Sequence, residues 1–261
     1  MPTFSTPEPI TLRATVAAGH LAVSASDRDD AHVEVRPRKP SDADYAASVT
    51  VEFDDGTLVV TTPDGGWLRR TPEVMVTVAL PTGSRVQAKT AAADISVSGR
   101  VSDVEAGTAA GDIRVEHAAH VRVKSASGDV VCDVIDGEGV VESTSGDVRV
   151  GSVRDALDVR SASGDVVVRE ALGDVTGKTV SGDLEFGSVA RGRMTLNSAS
   201  GDITVGVAQG PAVWLDVSSL SGKTISRLER SGQPGEGEET VEISARSLSG
   251  DITITRAGVA R

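Results

Sequence analysis

Apolar and polar residues alternate along most of this chain, and between Thr90 and Ile254 the alternation recurs in nine copies of one pattern. Most copies are centred on Ser-Gly-Asp, and the central residues are Asp94, Asp112, Asp129, Asp147, Asp165, Asp183, Asp202, Lys223 and Asp251. Subtracting successive residue numbers gives spacings of 18, 17, 18, 18, 18, 19, 21 and 28 residues. A period near 18 predicts stacked structural units of similar shape.

Each copy predicts two short strands joined by a corner. The first and third residues after the aspartate are apolar in almost every copy, as in Val166 and Val168, which is the alternation of a strand with one buried face. The residues eight and six positions before it alternate in the same way, as in Leu157 and Val159. The parity changes at Ser-Gly-Asp, so we expect a turn there, with glycine supplying a permissive backbone.

A hydroxyl residue lies four positions before the centre of every copy. The set is Thr90, Thr108, Ser125, Ser143, Ser161, Thr179, Ser198, Ser219 and Ser247. Its parity is that of the buried residues, so we expect inward hydroxyls that form hydrogen bonds to one another along a ladder. Each aspartate is expected to cap its own corner while exposed to water.

These patterns predict an all-β fold, a single-stranded β-helix (β-solenoid) with coils of about 18 residues. An antiparallel sandwich also has short strands and frequent turns, but it does not require one residue type at one offset through nine copies.

Three regions follow: irregular N-terminal β coils with a cap over 1–83, regular repeats over 84–256, and a short tail over 257–261. In the eighth copy the apolar residue is shifted by one position, at Ile225, which predicts a bulge or a distorted coil, and residues 231–239 read as an extruded loop.

Composition excludes several partners. The formal net charge is −12 and lysines and arginines are scattered, so a nucleic-acid surface is not expected. No apolar run is long enough to span a bilayer, and the N-terminus lacks the features of a secretory signal. The single cysteine, Cys132, lies at an inward position and reads as a buried structural thiol. These observations predict a cytoplasmic protein without direct membrane insertion.

The aspartate row is the most obvious candidate for chemistry. Calcium-binding solenoids place several ligands in each half-coil, whereas here one Gly-Asp pair recurs every 18 residues or so. Sugar-binding surfaces need aromatic platforms, and this chain has two tryptophans, one tyrosine and three phenylalanines. We therefore interpret the row as a structural corner ladder and predict no catalytic residue, metal or cofactor. His117 and His120 are expected in a loose turn.

One segment has the composition of an interaction site. Trp67, Arg69 and Arg70 follow a glycine pair, and tryptophan with arginine is typical of binding hot spots. The alternative is that Trp67 folds down to cap one end of the solenoid.

The repeat also resembles a known family. The S-A-S-G-D-V-x-V units at Ser125–Cys132, Ser161–Val168 and Ser198–Val205, with the preceding strand V-M-V-T-V-A-L-P-T-G-S, resemble the adhesin-like DUF4097 β-strand-repeat family of bacteria. The resemblance runs from Gly19 to Ile254 and implies a β-helical, non-enzymatic protein related to members of cell-envelope stress systems. It implies no catalytic residues.

Three functional hypotheses remain open. The first is a non-catalytic scaffold or protein-interaction module with an unidentified protein partner. The second is a self-assembling, bactofilin-like structural protein, since an uncapped last coil near Ile252–Ile254 would allow end-to-end stacking. The third is a carbohydrate-active or calcium-binding protein built on the aspartate row, which predicts a loop-walled groove beside it.

Overall fold

A computed structural model describes residues 2–63, 72–228 and 240–258, and nearly all of these residues are in β-strands. The chain divides into two compact units, residues 1–132 and residues 133–261. No helix in the three described segments is long and apolar enough to cross a bilayer.

Unit 1 contains most of the irregular structure. Its strands are β1 (Thr3–Ser5), β2 (Thr11–Ser26), β3 (Asp30–Pro37), β4 (Thr50–Asp54), β5 (Thr57–Thr61), β6 (Val74–Pro81), β7 (Arg85–Thr108), β8 (Ile113–Ser125) and β9 (Val130–Ile135), which continues past residue 132. A 3-10 turn at Pro40–Asp42 leads into the short helix α1 (Ala43–Ala47), for which the sequence carries no periodicity.

Unit 2 consists of short strands that follow the repeat. They are β10 (Gly139–Ser143), β11 (Val148–Val153), β12 (Leu157–Ser161), β13 (Val166–Ala171), β14 (Val175–Thr179), β15 (Leu184–Val189), β16 (Gly192–Ser200), β17 (Ile203–Val207), β18 (Ala212–Ser219), β19 (Thr224–Ser226), β20 (Thr240–Ser249) and β21 (Ile252–Arg256).

Parallel pairing in register establishes the fold class. Leu157 of β12 pairs with Val175 of β14, and Val166 of β13 pairs with Leu184 of β15, so residues 18 apart lie side by side. The antiparallel sandwich is therefore excluded, and the predicted all-β solenoid is confirmed. Identical positions stack at the spacing of neighbouring strands, about 4.8 Å.

Stacked aliphatic side chains form the core of unit 2. Val166, Leu184 and Ile203 are fully buried in one such column, and each contributes roughly 1.5–3 kcal/mol before entropy costs. Phe186 is the largest fully buried side chain. Gly177 makes room in this core chiefly for Leu196, since a Cβ on Gly177 would lie 2.8 Å from Cδ2 of Leu196.

The first coil of unit 1 is an interior coil. Leu12 of β2 pairs with Leu58 of β5 on one side and with Val86 of β7 on the other. Beyond β5 and β6 the parallel pattern ends, because β4 pairs antiparallel with β5 and β3 pairs antiparallel with β6. β1 pairs antiparallel with β3, and the rings of Phe4 and Phe53 lie 5.2 Å apart between β1 and β4. These antiparallel strands cover the start of the stack.

The last coils of unit 2 are also stacked in an order that differs from their order along the chain. Ile243 of β20 pairs with Met194 of β16 on one side and with Leu215 of β18 on the other. Likewise β21 lies between β17 and β19. The spatial order of the last three copies is therefore seventh, ninth, eighth. The expectation of an uncapped coil at Ile252–Ile254 is wrong, since both residues are fully buried, and the outermost coil is β18 with β19.

Strand β19 of the eighth copy has no bulge, which was one of the two expectations for this coil. Ile225 pairs with Thr253 on the outward face, while Thr224 and Ser226 pair in register with Ile252 and Ile254 on the inward face. An outermost coil has no further coil to bury its inward side chains, so hydroxyls are tolerated there and the apolar residue is not needed. The register shifts of unit 2 include one between Phe186 and Val189 instead.

Engineered disulfides will test this coil order. Thr204→Cys with Thr253→Cys joins direct neighbours of β17 and β21, and we expect ready oxidation because Cα atoms about 4.8 Å apart fit disulfide geometry. Thr204→Cys with Ile225→Cys joins strands about two spacings apart, which a disulfide does not span. Mass spectrometry after mild oxidation reports the bond. Oxidation of the second pair and not of the first would mean that the coils follow chain order.

Candidate functional site

The corner hydroxyls hold their own corners. Ser125 Oγ donates to the carbonyl of Gly128 at 2.7 Å and accepts the Gly128 N–H at 3.0 Å. Ser143 makes the same pair of bonds with Gly146, at 2.7 and 3.1 Å. These hydroxyls are buried, as their parity predicts. The expected ladder of hydroxyl-to-hydroxyl bonds is wrong, because the glycine three residues along is the partner that lies in reach.

The corner glycines are required by close stacking. A Cβ on Gly164 would lie 2.1 Å from the carbonyl oxygen of Gly146, and one on Gly182 would lie 2.1 Å from that of Gly164. In unit 1, Gly128 stands in the same relation to Gly111, at 1.8 Å. None of these glycines has a positive φ. The expected role of a permissive backbone is therefore wrong here, and the reason for glycine is the room it leaves for the neighbouring carbonyl.

The aspartates join one corner to the next. In unit 1, Oδ1 of Asp94 accepts the N–H of Asp112 at 3.0 Å, and Oδ1 of Asp112 accepts that of Asp129 at 2.9 Å. In unit 2 the same bond, from a backbone N–H to the Oδ1 of the aspartate in the adjacent coil, has lengths of 2.7–3.1 Å. The donor–acceptor pairs are Asp165–Asp147, Asp183–Asp165, Asp202–Asp183 and Asp251–Asp202. Each carboxylate therefore replaces a backbone acceptor where the chain turns, rather than capping its own corner.

A backbone hydrogen bond also joins adjacent corners, and in this bond the later coil supplies the acceptor. The N–H of Val166 donates to the carbonyl of Asp183 at 2.9 Å, and that of Ile203 donates to Asp251 at 2.9 Å. Adjacent corners are thus held by two hydrogen bonds, one through the carboxylate and one through the main chain. The hydrogen bonding of the parallel sheet continues around the bend.

These hydrogen bonds explain why Lys223 stands at a position that is aspartate in the other copies. Its N–H donates to Oδ1 of Asp251 at 2.7 Å, and its carbonyl accepts from Ile252 at 2.8 Å. Because the eighth copy is outermost in unit 2, no further corner in the described part of the chain requires an acceptor from it. A lysine therefore replaces the aspartate at the position where, among the described residues, no backbone N–H needs a carboxylate acceptor.

The row shows limited capacity for chemistry. Its aspartates each engage one carboxylate oxygen with a neighbouring amide, and the side chains line up along the stack rather than converging. Within residues 2–63, 72–228 and 240–258, no group of three or more histidine, cysteine, aspartate or glutamate residues is arranged to hold a metal ion. The geometry of the row is that of a structural connector.

The other sequence candidates are distributed as follows. Trp67, Arg69 and Arg70 lie outside the described residues, as does the 231–239 loop. Cys132 is fully buried. The histidines expected in a loose turn belong to the continuous strand β8, where Nδ1 of His120 lies 3.2 Å from Oδ1 of Asp103.

An exposed apolar surface was missed by the sequence reading. Among the residues that the structure describes, large exposed apolar side chains concentrate in unit 2, at Val180, Trp214, Leu215, Leu220, Ile225 and Leu248, whereas unit 1 has Met75. The signal was present three positions before each centre, where Ala126, Thr144 and Ala162 give way to Val180, Leu220 and Leu248, with Ala199 as the exception. The coil order brings Leu220 and Leu248 together, because Leu220 directly follows β18, which pairs with β20, and its N–H donates to the carbonyl of Ser247 at 3.1 Å.

Comparison with known proteins agrees with this architecture. The Toastrack DUF4097 family model matches residues 10–255, so this chain belongs to the Toastrack DUF4097 family. A search of curated proteins finds no significant match to this sequence.

Solved structures provide distant similarities. A candidate adhesin from Bacteroides fragilis is 13% identical, with 97% of this chain and 95% of that chain covered and a TM-score of 0.46. A candidate cell adhesion protein from Clostridium sporogenes is 10% identical, with 98% of each chain covered and a TM-score of 0.30. Similarity at this level carries no inference about function.

Removing one carboxylate tests the corner connection. Asp165→Ala leaves the N–H of Asp183 without its acceptor, so we expect the free energy of unfolding to fall by about 1 kcal/mol. Lys223→Ala is the matched control and should change it by less than about 0.5 kcal/mol, because the Lys223 side chain accepts no such bond. Denaturant titration measures both. An equal loss in the two variants would contradict the proposed role of the carboxylate.

Adding a methyl group tests the close approach. Gly182→Ala places a Cβ against the carbonyl of Gly164, so we expect a loss of at least about 2 kcal/mol in the free energy of unfolding. Gly258→Ala, at a position with no atom within 4 Å of the new Cβ, is the control. Thermal and denaturant unfolding measure the difference. A Gly182→Ala protein as stable as the control would show that the corner yields to the methyl group.

Proposed function

We propose that this protein is a non-catalytic β-solenoid scaffold that binds a protein partner through the outer coils of unit 2. The observation that carries the proposal is the concentration of exposed Trp214, Leu215, Leu220 and Leu248 in those coils. Large exposed apolar side chains cost solubility and are typical of interaction sites. Tryptophan is among the residues most enriched at binding hot spots.

The state of the aspartate row supports the absence of catalysis in this proposal. A general acid or base needs a carboxylate free to face a substrate, and paired carboxylates must lie at a defined separation across a cleft. Here the row is exposed and its carboxylates hold neighbouring corners together. The aspartates therefore have a structural role, whereas the exposed apolar side chains of unit 2 have none within the fold.

Self-association is the second candidate, and the outermost coil favours it. Leu215 is 36% exposed although it occupies an inward position, because no strand in the described residues pairs with the outer edge of β18. Unpaired strand edges invite pairing with another chain. A second copy joined there would produce a dimer or the start of a filament.

The cellular setting remains a prediction. A cytoplasmic location follows from composition, and a role at the cell envelope follows from the family resemblance. Fractionation of native cells, with detection of the tagged chain in each fraction, separates these expectations.

Site-specific photo-crosslinking tests the binding surface. A photoreactive residue at Trp214 should form an adduct with a distinct protein in native cells, while one at Thr204, which is exposed on β17, should not. Adducts with the chain itself would favour self-association. Equal adducts from both positions, or none from either, would remove the support for this surface.

A further inference from the structure

A groove crosses four neighbouring strands at the end of unit 2. It has a volume of about 670 Å³, and its floor includes Ser198 and Ser247. Ala199, Leu248 and Leu220 line it on the corner side. The residues that line it on the strand side are Lys178, Asn197, Arg246 and Ser218. This volume lies within the range of sites that bind small molecules and short peptides.

The floor of the groove contains an unpartnered hydroxyl. Ser161 and Thr179, at the equivalent position of the preceding coils, accept the N–H of their corner glycine at 2.9 and 3.0 Å. Ser198 is 6% exposed, and its Oγ has no hydrogen-bond partner. A buried hydroxyl without a partner costs free energy, and such groups are rare in folded proteins. Because this oxygen faces inward and is closed off from solvent, it distinguishes the coil beneath the groove from its neighbours without contacting a ligand itself.

The strand-side wall presents two cationic side chains. Lys178 and Arg246 are both exposed and flank Asn197 on the two adjacent strands. Arg246 forms an ion pair with Asp216 at 3.0 Å, and 62% and 71% of the two side chains are exposed. Exposed pairs of this kind contribute little, so Arg246 can exchange its partner for a ligand carboxylate. The opposite wall is apolar.

Strand spacing sets the length of the ligand. Lys178, Asn197, Arg246 and Ser218 lie on four successive strands in the spatial order β14, β16, β20 and β18. Three spacings of about 4.8 Å give about 14 Å, which an extended peptide covers with four residues at about 3.4 Å each. An extended peptide also presents side chains alternately to two sides, which fits one cationic wall and one apolar wall.

We propose that this groove binds a short extended peptide segment in which acidic and aliphatic side chains alternate. The acidic side chains face Lys178 and Arg246, and the aliphatic ones face Leu248 and Leu220. The inference rests on the proposed function, since it specifies the partner's recognition element.

A random peptide library displayed on phage and selected on the immobilised full-length protein is the test. We expect enrichment of sequences with an acidic residue next to an aliphatic one. A synthetic peptide of the leading sequence should bind about tenfold more weakly to Lys178→Glu and to Leu248→Asp by fluorescence anisotropy. Met75→Asp, at an exposed apolar position in unit 1, should leave its affinity unchanged.

Ser198→Ala separates ligand binding from a structural role. Because Ser198 Oγ has no partner within the fold and is closed off from the groove, we expect this variant to be at least as stable as the parent protein and to bind the peptide with the same affinity. Ser161→Ala, which removes the acceptor of the Gly164 N–H, should be destabilised instead.

Failure of this inference can be distinguished from failure of the proposed function. No enriched sequence, or enriched peptides whose affinity is the same for all the groove variants, would overturn the groove assignment. If Trp214 then still gives a partner adduct in cells, the scaffold function stands and the partner binds elsewhere on the outer coil. If neither experiment gives binding, both proposals fail.

Discussion

The close stacking of one corner on the next is the constraint on which the rest of this structure depends. A parallel sheet that bends sharply loses backbone acceptors at the bend, and each lost acceptor leaves an amide to be satisfied. Asp165 supplies a carboxylate for the next amide, Gly164 leaves room for the neighbouring carbonyl, and Ser161 satisfies the amide of that glycine. Three side chains at fixed offsets therefore solve one geometric problem, and this is why they recur together.

The coil order has a consequence for both chain ends. β2 lies between β5/β6 and β7 in unit 1, and β20/β21 lie between β16/β17 and β18/β19 in unit 2. The first and last coils of the sequence are thus each bonded on two sides. Terminal segments fray when they have few partners, and an interior position supplies those partners. In unit 2 the outermost coil is instead formed by β18 and β19, a segment that continues along the chain at both of its ends.

Much of this architecture could be predicted from the sequence, and the exceptions have physical reasons. The alternation around Val166 and Val168 predicts which side chains are buried, because the inward or outward position of a residue depends on its own strand and not on which coil lies beside it. Coil order could not be predicted, because residues 18 apart and residues 49 apart, such as Asp202 and Asp251, can satisfy the same pairing rule. The division of hydrogen bonds between Ser125 and the aspartates was misread for a similar reason: both types accept amide hydrogens, and only the geometry of the corner decides which amide each one reaches.

Deviations from the repeat identify the functional surface better than the repeat itself. Copies that obey the rule place small residues such as Ala162 beside the corner and satisfy every corner hydroxyl they bury, as Ser161 shows. The groove forms where β20 inserts between β16 and β18, and there Ser198 loses its glycine partner while leucines replace alanine at the exposed position. Local rules are broken in folded proteins mainly where another requirement competes with stability. Two cations and two exposed leucines beside the inserted coil are together such a departure, and ligand binding is a requirement that would account for these exposed side chains.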